Sequence, residues 1–215
     1  SNKILKLKNI EITQKNEEIE VQKNNIEELL IKTTNAHNSI KSSIDYASYI
    51  QSAMINKTPL LKELVHDAFI LFQPRDAVGG DFYWYREINN KLIAAAVDCT
   101  GHGVPGAFLT VLGNNVLNQI VNVSKITDPG QILESMHTYI KEALNQQTSE
   151  NKDGMDLTIC TIDKNEKKLY FAGANNPLVY IQNGKMDIIE GEKYGIGGHS
   201  DMLFGRYKEK QNRSE

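Results

Sequence analysis

The 215-residue chain has room for one domain of ordinary size, or for a smaller domain with an appendage. Charged residues make up 24% of the chain and the net charge is −3, which gives no reason to expect nucleic acid or an anionic membrane as a partner. No apolar run approaches the ~20 residues that a membrane span needs. The two cysteines, Cys99 and Cys160, are far apart and form no CxxC pair, which supports neither a zinc knuckle nor a disulfide framework and favours reduced thiols in a cytoplasmic protein.

Residues 1–57 carry the pattern of one long helix. The segment has no glycine and no proline, and an apolar or small residue recurs at an interval of seven: Leu5, Ile12, Ile19, Ile26, Thr33, Ile40, Ala47 and Met54. A seven-residue repeat held this long favours a left-handed coiled coil, and at 1.5 Å per residue the helix would be about 80 Å long, more than the rest of the chain could cover. We therefore expect a parallel homodimer through residues 1–57. In the early heptads the second core position is polar, so a solvated single helix is the alternative.

After this segment the pattern changes to short strands. Apolar or alternating runs predict strands over 67–73, 82–87, 91–98, 155–163, 168–174, 178–182 and 185–190. Asn89-Asn90 and Asn183-Gly184 are turn signals of the kind that join two strands into a hairpin.

Two helices are predicted between the third and fourth strands. One is expected to open at Pro105, and the other to be capped by Asp128 with Pro129 at its first helical position. Strands, two helices and more strands in this order predict an α+β fold with mostly antiparallel strands, because a doubly wound parallel sheet would need strand and helix to alternate.

The glycine-rich loop at residues 101–106 fits the pattern G-x-G-x-x-G and lies between a predicted strand and a predicted helix. Taken alone, it could be a dinucleotide-binding loop. The acidic ribose ligand expected about 20 residues later is missing, because that region is still helical, and the later strand order does not fit a βαβ unit. We therefore do not interpret this loop as a nucleotide site.

Three aspartates stand at predicted strand ends or turns. Asp81 follows two glycines, Asp98 ends an apolar strand, and Asp156 lies near the start of another apolar strand. A single aspartate of this kind is usually a turn or capping residue. Three of them, with glycines adjacent and few basic residues nearby, favour a hard divalent cation held by oxygen ligands.

The segments PRDAVGGDFYW (74–84) and VDCTGHGVPGA (97–107) closely resemble the SpoIIE/RsbU group of metal-dependent, PP2C-like serine/threonine phosphatases. The later segment 154–181 resembles that family's hairpin before AGHNPPLL, with Asn175 where a histidine is common. Residues 43–54 resemble the helix that joins sensor domains to such phosphatases. The resemblance covers roughly residues 40–198 and implies a PP2C-like antiparallel β-sandwich flanked by helices over residues 58–215, preceded by the coiled-coil helix.

The resemblance implies a binuclear Mn²⁺ or Mg²⁺ site that activates a water for attack on a phosphoserine or phosphothreonine. Asp81 would bridge both ions, Asp98 would ligate one, the backbone carbonyl of Cys99 would be a neighbouring ligand, and Asp156 would be the later metal aspartate. His102 would either protonate the leaving seryl oxygen or serve as a structural turn residue.

Partners follow from the same resemblance. Arg75 would either contact the substrate phosphate or be an ordinary surface arginine. The substrate would be a phosphorylated partner protein, such as an anti-sigma-factor antagonist. Because the seven-residue repeat runs directly into the phosphatase, we also hypothesise that an upstream sensor acts on it through residues 40–56.

One departure from the family is large. The family's last strand carries GD…TDG, whose aspartate completes the metal site, and this chain has no such motif. Asp201 lacks the expected strand context, and residues after about 198 are predicted to be a polar loop and tail. The phosphatase domain is therefore expected to be incomplete at its C-terminus, and a non-catalytic dimeric signalling scaffold with the phosphatase fold is the alternative function.

Overall fold

The computed structural model describes residues 2–55, 58–198 and 210–213. Its contacts divide the chain into two compact units, one ending at Tyr46 and the other beginning at Ala47. Helix α1 (Asn2–Met54) runs without interruption, as the absence of glycine and proline predicted. The boundary between a linker of residues 1–57 and a domain of residues 58–215 stays a prediction.

The rest of the chain consists of a short helix, two strands, a pair of helices and six further strands in the described residues. In chain order the elements are α2 (Thr58–Leu64), β1 (Asp81–Ile88), β2 (Lys91–Cys99), α3 (Gly103–Asn118) with a π-helical extension (Gln119–Val123), α4 (Pro129–Ala143), β3 (Gly154–Asp163), β4 (Lys168–Ala174), β5 (Leu178–Gln182), β6 (Lys185–Ile189), β7 (Ile196–Gly197) and β8 (Lys210–Arg213).

Most of the strands form one antiparallel sheet. Its order is β1-β2-β3-β4-β8, and the short strand β7 also pairs with β3. Strands β5 and β6 form a separate two-stranded hairpin. The predicted α+β fold with mostly antiparallel strands is confirmed.

The core lies between one face of the large sheet and helices α3 and α4. Side chains alternate between the two faces of a strand, so every second residue of β1, β2 and β3 points at the helices. The core includes Phe82, Trp84, Ile93, Leu117, Ile132, Met136 and Leu157. Trp84 also satisfies its indole N–H, which donates to Asn118 Oδ1 at 3.2 Å. The opposite face carries both buried side chains, such as Tyr85 and Leu92, and polar ones.

Local signals in the sequence placed the hairpins and the start of α4 correctly. Asn89 and Asn90 both have positive φ, 51° and 62°, as a type I′ turn requires, and Asn183 and Gly184 repeat this at 53° and 75°. Asp128 caps α4, where its Oδ1 accepts the N–H of Gln131 at 2.7 Å. Helix α3 begins two residues before Pro105, which is therefore in the first turn but not at the first position.

Two predictions were wrong, and one helix was missed. Residues 67–73 do not form a strand, because an apolar run becomes a strand only where a neighbouring strand takes up its backbone hydrogen bonds, and the described residues provide none. Helix α2 was not predicted. The tail was predicted to lack regular structure, but Lys210–Arg213 forms β8 against β4. Asp201 lies outside the described residues.

Within the part of the chain that the structure describes, no helix is both long and apolar enough to cross a membrane. Both cysteines are free, as predicted: Cys99 is buried and Cys160 is half-buried.

Asp163 at the end of β3 provides a pH-dependent contribution to stability. Its carboxylate accepts the N–H groups of Asn165 and Glu166 at 2.9 and 3.0 Å and lies 3.1 Å from Lys91 Nζ. The Glu166 amide first, and then Lys91, hold the pKa of Asp163 below its usual range. Because the folded pKa is the lower one, this stabilisation is fully present above the unfolded pKa and is lost as the pH falls through the folded pKa.

We therefore expect Asp163→Asn to lower the melting temperature at neutral pH and the difference from wild type to shrink as the pH falls below about 4. Thermal unfolding followed between about pH 2 and pH 7 checks this. Asp45→Asn on the exposed surface of α1 is the control and should leave the curve unchanged. A difference that is the same at every pH would contradict the assignment.

Candidate metal centre

The three predicted aspartates lie side by side across three neighbouring strands. In the register of the sheet, Asp81 on β1 is directly opposite Asp98 on β2, and Asp98 is directly opposite Asp156 on β3. Residues opposite each other across strands share a face, and this face is the one turned away from α3 and α4. The sheet therefore assembles one row of carboxylates from three separate stretches of sequence.

The first two aspartates are the closest members of the row. The N–H of Cys99 donates to the carbonyl of Gly80 at 3.1 Å, so the adjacent pair Asp81–Asp98 is of the non-hydrogen-bonded type, in which side chains approach most closely. Burial first, and then a hydrogen bond and charge repulsion from Asp81, raise the pKa of Asp98 above its usual range. Two carboxylates held together in this way are destabilising unless a cation lies between them.

The described basic side chains do not supply that charge. Among the described residues, no lysine, arginine or histidine forms an ion pair with any of the three aspartates. Asp156 instead accepts a neutral hydrogen bond from the side-chain amide of Asn175 at 2.8 Å. No described basic side chain therefore competes with a metal cation for these carboxylates.

Glycines allow the backbone of the loop after β2 to pack closely beside the row of aspartates. A Cβ on Gly80 would lie 2.7 Å from the carbonyl oxygen of Gly101 and 3.1 Å from that of Cys99. A Cβ on Gly106 would lie 2.7 Å from the same Gly101 oxygen. Only glycine permits these approaches, so the glycines of both motifs allow the loop after β2 to pack against the residue before Asp81.

Cys99 contributes through its backbone and not through its thiol. The side chain is buried, and burial raises the pKa of the thiol to about 12, so it stays protonated at neutral pH. The carbonyl oxygen lies on the side of Gly80. This arrangement fits a carbonyl ligand beside Asp81 and Asp98.

His102 and Arg75 are positioned differently from the aspartates. His102 is the residue before α3, its side chain is 66% exposed, and its Nδ1 lies 3.2 Å from Asp76 Oδ2. Asp76 was not predicted as a site residue, although it belongs to the same motif as Asp81. Arg75 is exposed in the loop before β1, and within the described residues no ion pair or hydrogen bond joins it to the three aspartates.

A groove lies on the face of the sheet that carries the aspartates. Its volume is about 560 Å³, and its lining includes Asp81 and Asp98 together with Tyr83, Thr158 and Pro177. Most of the lining is apolar, so the groove combines two carboxylates with an apolar wall.

The donor set fits a divalent cation, in part. Carboxylate and carbonyl oxygens are the ligands that Mg²⁺ and Mn²⁺ prefer. Within the residues that the structure describes, however, no three His, Cys, Asp or Glu side chains come close enough together to form a cage around one ion. The centre is therefore built on the pair Asp81–Asp98, with the Cys99 carbonyl beside it and Asp156 one strand further along the row.

A contact that the sequence analysis missed joins the last turns of α1 to the loop before Asp81. Gln51 is buried, its Nε2 donates to the carbonyl of Gly79 at 2.7 Å, and its Oε1 accepts the Gly79 N–H at 3.2 Å. Thr110 of α3 donates to the same carbonyl at 3.0 Å. The periodicity of a helix indicates contacts only within that helix, whereas Gln51 is 28 residues from Gly79 in the sequence.

Replacing Gln51 with alanine should therefore leave the Gly79 N–H without its partner and destabilise the fold by about 1–3 kcal/mol. Gln51→Glu should also destabilise it, because a carboxylate cannot donate to the carbonyl. Urea unfolding gives the free energy directly. Gln14→Ala, at an exposed position of the same helix, is the control and should stay within about 0.5 kcal/mol of wild type. Equal effects of the two alanine variants would contradict the role of Gln51.

Comparison with known proteins bears on the family and the fold. The family model described as Stage II sporulation protein E (SpoIIE) matches residues 89–208. Comparison with curated protein sequences gave no significant match.

Among solved structures, the SiaA-PP2C domain of Pseudomonas aeruginosa is 33% identical with a TM-score of 0.70, over 82% of this chain and 68% of that one. The PP2C phosphatase domain and regulatory-domain fragment of SpoIIE from Bacillus subtilis is 18% identical with a TM-score of 0.51, over 64% of this chain and 38% of that one, which shows a shared fold. From the matched family model and the SiaA domain, the chain belongs to the SpoIIE family and has the fold of its PP2C-like domains.

Proposed function

We propose that the chain is a metal-dependent protein serine/threonine phosphatase that acts in bacterial signalling. The observation that carries the proposal is the row Asp81, Asp98 and Asp156, in which three carboxylates form no ion pair with a described basic side chain and the first two line a groove. The likeness to a PP2C domain at 33% identity supports the same activity.

In the proposed site, two Mn²⁺ or Mg²⁺ ions would be held by Asp81, Asp98, the Cys99 carbonyl and Asp156. Bound there, the ions would supply an activated water and neutralise charge on the phosphate. A water oxygen would form a bond to phosphorus as the bond from phosphorus to the seryl or threonyl oxygen breaks, and the proton of the water would pass to solvent.

The leaving oxygen needs a proton, which we assign to His102. Asp76 holds the ring through Nδ1, so Nε2 remains for a proton transfer to the leaving group. Arg75 would contact the substrate phosphate, because a guanidinium donates to two oxygens at once. The groove would accept the residues that flank the phosphorylated one.

Regulation is proposed to come through α1. The exposed seven-residue stripe supports a parallel coiled-coil homodimer over residues 1–57, to which an upstream sensor would be joined. A change in the coil would reach the site through Gln51, which contacts Gly79 two residues before Asp81. The substrate would be a phosphorylated partner protein such as an anti-sigma-factor antagonist.

A second function is favoured by one observation. The described residues contain no complete three-residue metal cage, which supports a dimeric signalling scaffold that keeps the fold without catalysis. Loss of the metal centre would leave the coil and the PP2C-like surface intact.

The test is phosphate release from phosphoserine and phosphothreonine peptides by the purified chain, with and without Mn²⁺ or Mg²⁺. We expect phosphate release that requires the metal and stops when the metal is chelated. We expect no release from a phosphotyrosine peptide. Bound Mn²⁺ without any release, or no binding at all, would favour the scaffold.

A further inference from the structure

We propose that Asn175 is a positioning residue for Asp156, fixing that carboxylate so that one oxygen faces the metal centre. The inference rests on the proposed metal site, and it assigns to Asn175 a role beyond that of a turn residue. It is built from three observations on the loop after β4.

The backbone of Asn175 is fixed in an uncommon conformation. Its φ is +60°, which asparagine tolerates better than most residues with a side chain. Its N–H donates to the carbonyl of Glu192 at 2.8 Å, and the N–H of Glu192 donates back to Gly173 at 2.8 Å. On the other side of the loop, Thr158 donates to the carbonyl of Pro177 at 2.9 Å. The loop is therefore held from both sides, which fixes the backbone from which the Asn175 side chain projects.

That side chain contacts one particular oxygen of Asp156. Nδ2 of Asn175 donates to Asp156 Oδ1 at 2.8 Å. The same oxygen is enclosed on another side by Gly195, where a Cβ would lie 2.7 Å from it. In the described part of the chain, no hydrogen bond or ion pair is made to Oδ2. One oxygen is thus held by the protein and the other is left for a cation.

A neutral amide suits this task better than a basic side chain. A lysine or arginine would orient the carboxylate but would also neutralise it, and the site would lose attraction for a cation. An amide donor orients the carboxylate and leaves its charge in place. Hydrogen-bond partners of metal ligands act in this way, and their loss typically costs 10–100-fold in metal affinity.

Asn175 could instead be present only because it adopts a positive φ. Glycine adopts this conformation more easily than asparagine but has no donor, so Asn175→Gly separates the two explanations. Histidine also tolerates positive φ and carries a ring N–H, so Asn175→His restores a neutral donor in the same place.

The experiment is calorimetric titration of Mn²⁺ into the metal-free full chain, with the melting temperature of each metal-free variant measured beside it. We expect Asn175→Gly to weaken Mn²⁺ binding by about 10–100-fold with no loss of melting temperature, and Asn175→His to bind close to wild type. Equal affinity of wild type and Asn175→Gly would overturn the proposal. Equal weakening in the glycine and histidine variants would overturn it as well.

The titration separates this proposal from the proposed function. If the wild-type chain binds Mn²⁺ but releases no phosphate, the phosphatase proposal fails while the affinities of the variants still decide the role of Asn175. If the wild-type chain binds no Mn²⁺, the metal centre and the role of Asn175 both fail.

Discussion

Replacement of Asp98 by asparagine is expected to abolish metal-dependent phosphate release and, in the metal-free chain, to raise stability. The asparagine side chain would keep the shape of the aspartate but remove one of two like charges that lie directly opposite each other on β1 and β2. Such a pair costs about 0.2–1 kcal/mol, and the metal-free variant should gain that amount. Metal ligation contributes several kcal/mol to catalysis, so the loss of activity should reach about 1000-fold.

The two effects have opposite signs, which makes this prediction specific. A variant that simply folds badly would lose both activity and stability. Phosphate release and urea unfolding, both with and without Mn²⁺, give the comparison. Mn²⁺ should raise the melting temperature of the wild type much more than that of the variant.

Asp187→Asn is the matched control. Asp187 is an exposed strand aspartate on β6, outside the carboxylate row, and its replacement should change neither activity nor the response to Mn²⁺. The assignment of the row would be wrong if Asp98→Asn kept full activity or if it lowered the stability of the metal-free chain.

The double substitution Ile26→Lys and Ile40→Lys is expected to convert a dimer into a monomer. Both residues belong to the seven-residue stripe of α1, and in the single chain they are 65% and 62% exposed. In a parallel coiled coil each would face its own copy across the seam, so lysines would place like charges in contact and remove the apolar burial that drives association.

Ile31→Lys provides an equally apolar and equally exposed control. Ile31 is also 62% exposed, but it lies five positions after Ile26, on the outside of a coiled coil built on the stripe. Sedimentation equilibrium should give a dimer for wild type and for Ile31→Lys, and a monomer for the double variant. A dimer that survives the double substitution would mean that the chains associate elsewhere, and a monomeric wild type would leave α1 as a solvated helix.

Much of the secondary structure was determined by the sequence itself. The length of α1 follows from its lack of helix breakers, the cap of α4 from Asp128, and the hairpins from residue pairs that accept positive φ. These features depend on backbone preferences and on contacts between residues a few positions apart, which a sequence displays directly. The glycine-aspartate motifs likewise indicated Asp81 and Asp98 as candidate ligands by local pattern alone.

Only the tertiary structure decided which residues meet. The row of three aspartates exists because of strand register, and a shift of one residue would send Asp98 to the opposite face of the sheet. The pairs Gln51–Gly79, Asp76–His102 and Asn175–Asp156 join residues 19 to 28 positions apart. The apolar run 67–73 remained irregular and part of the tail became β8, because strand formation depends on a distant partner for the backbone hydrogen bonds. Local sequence fixes what a segment prefers, whereas pairing between distant segments determines what that segment becomes.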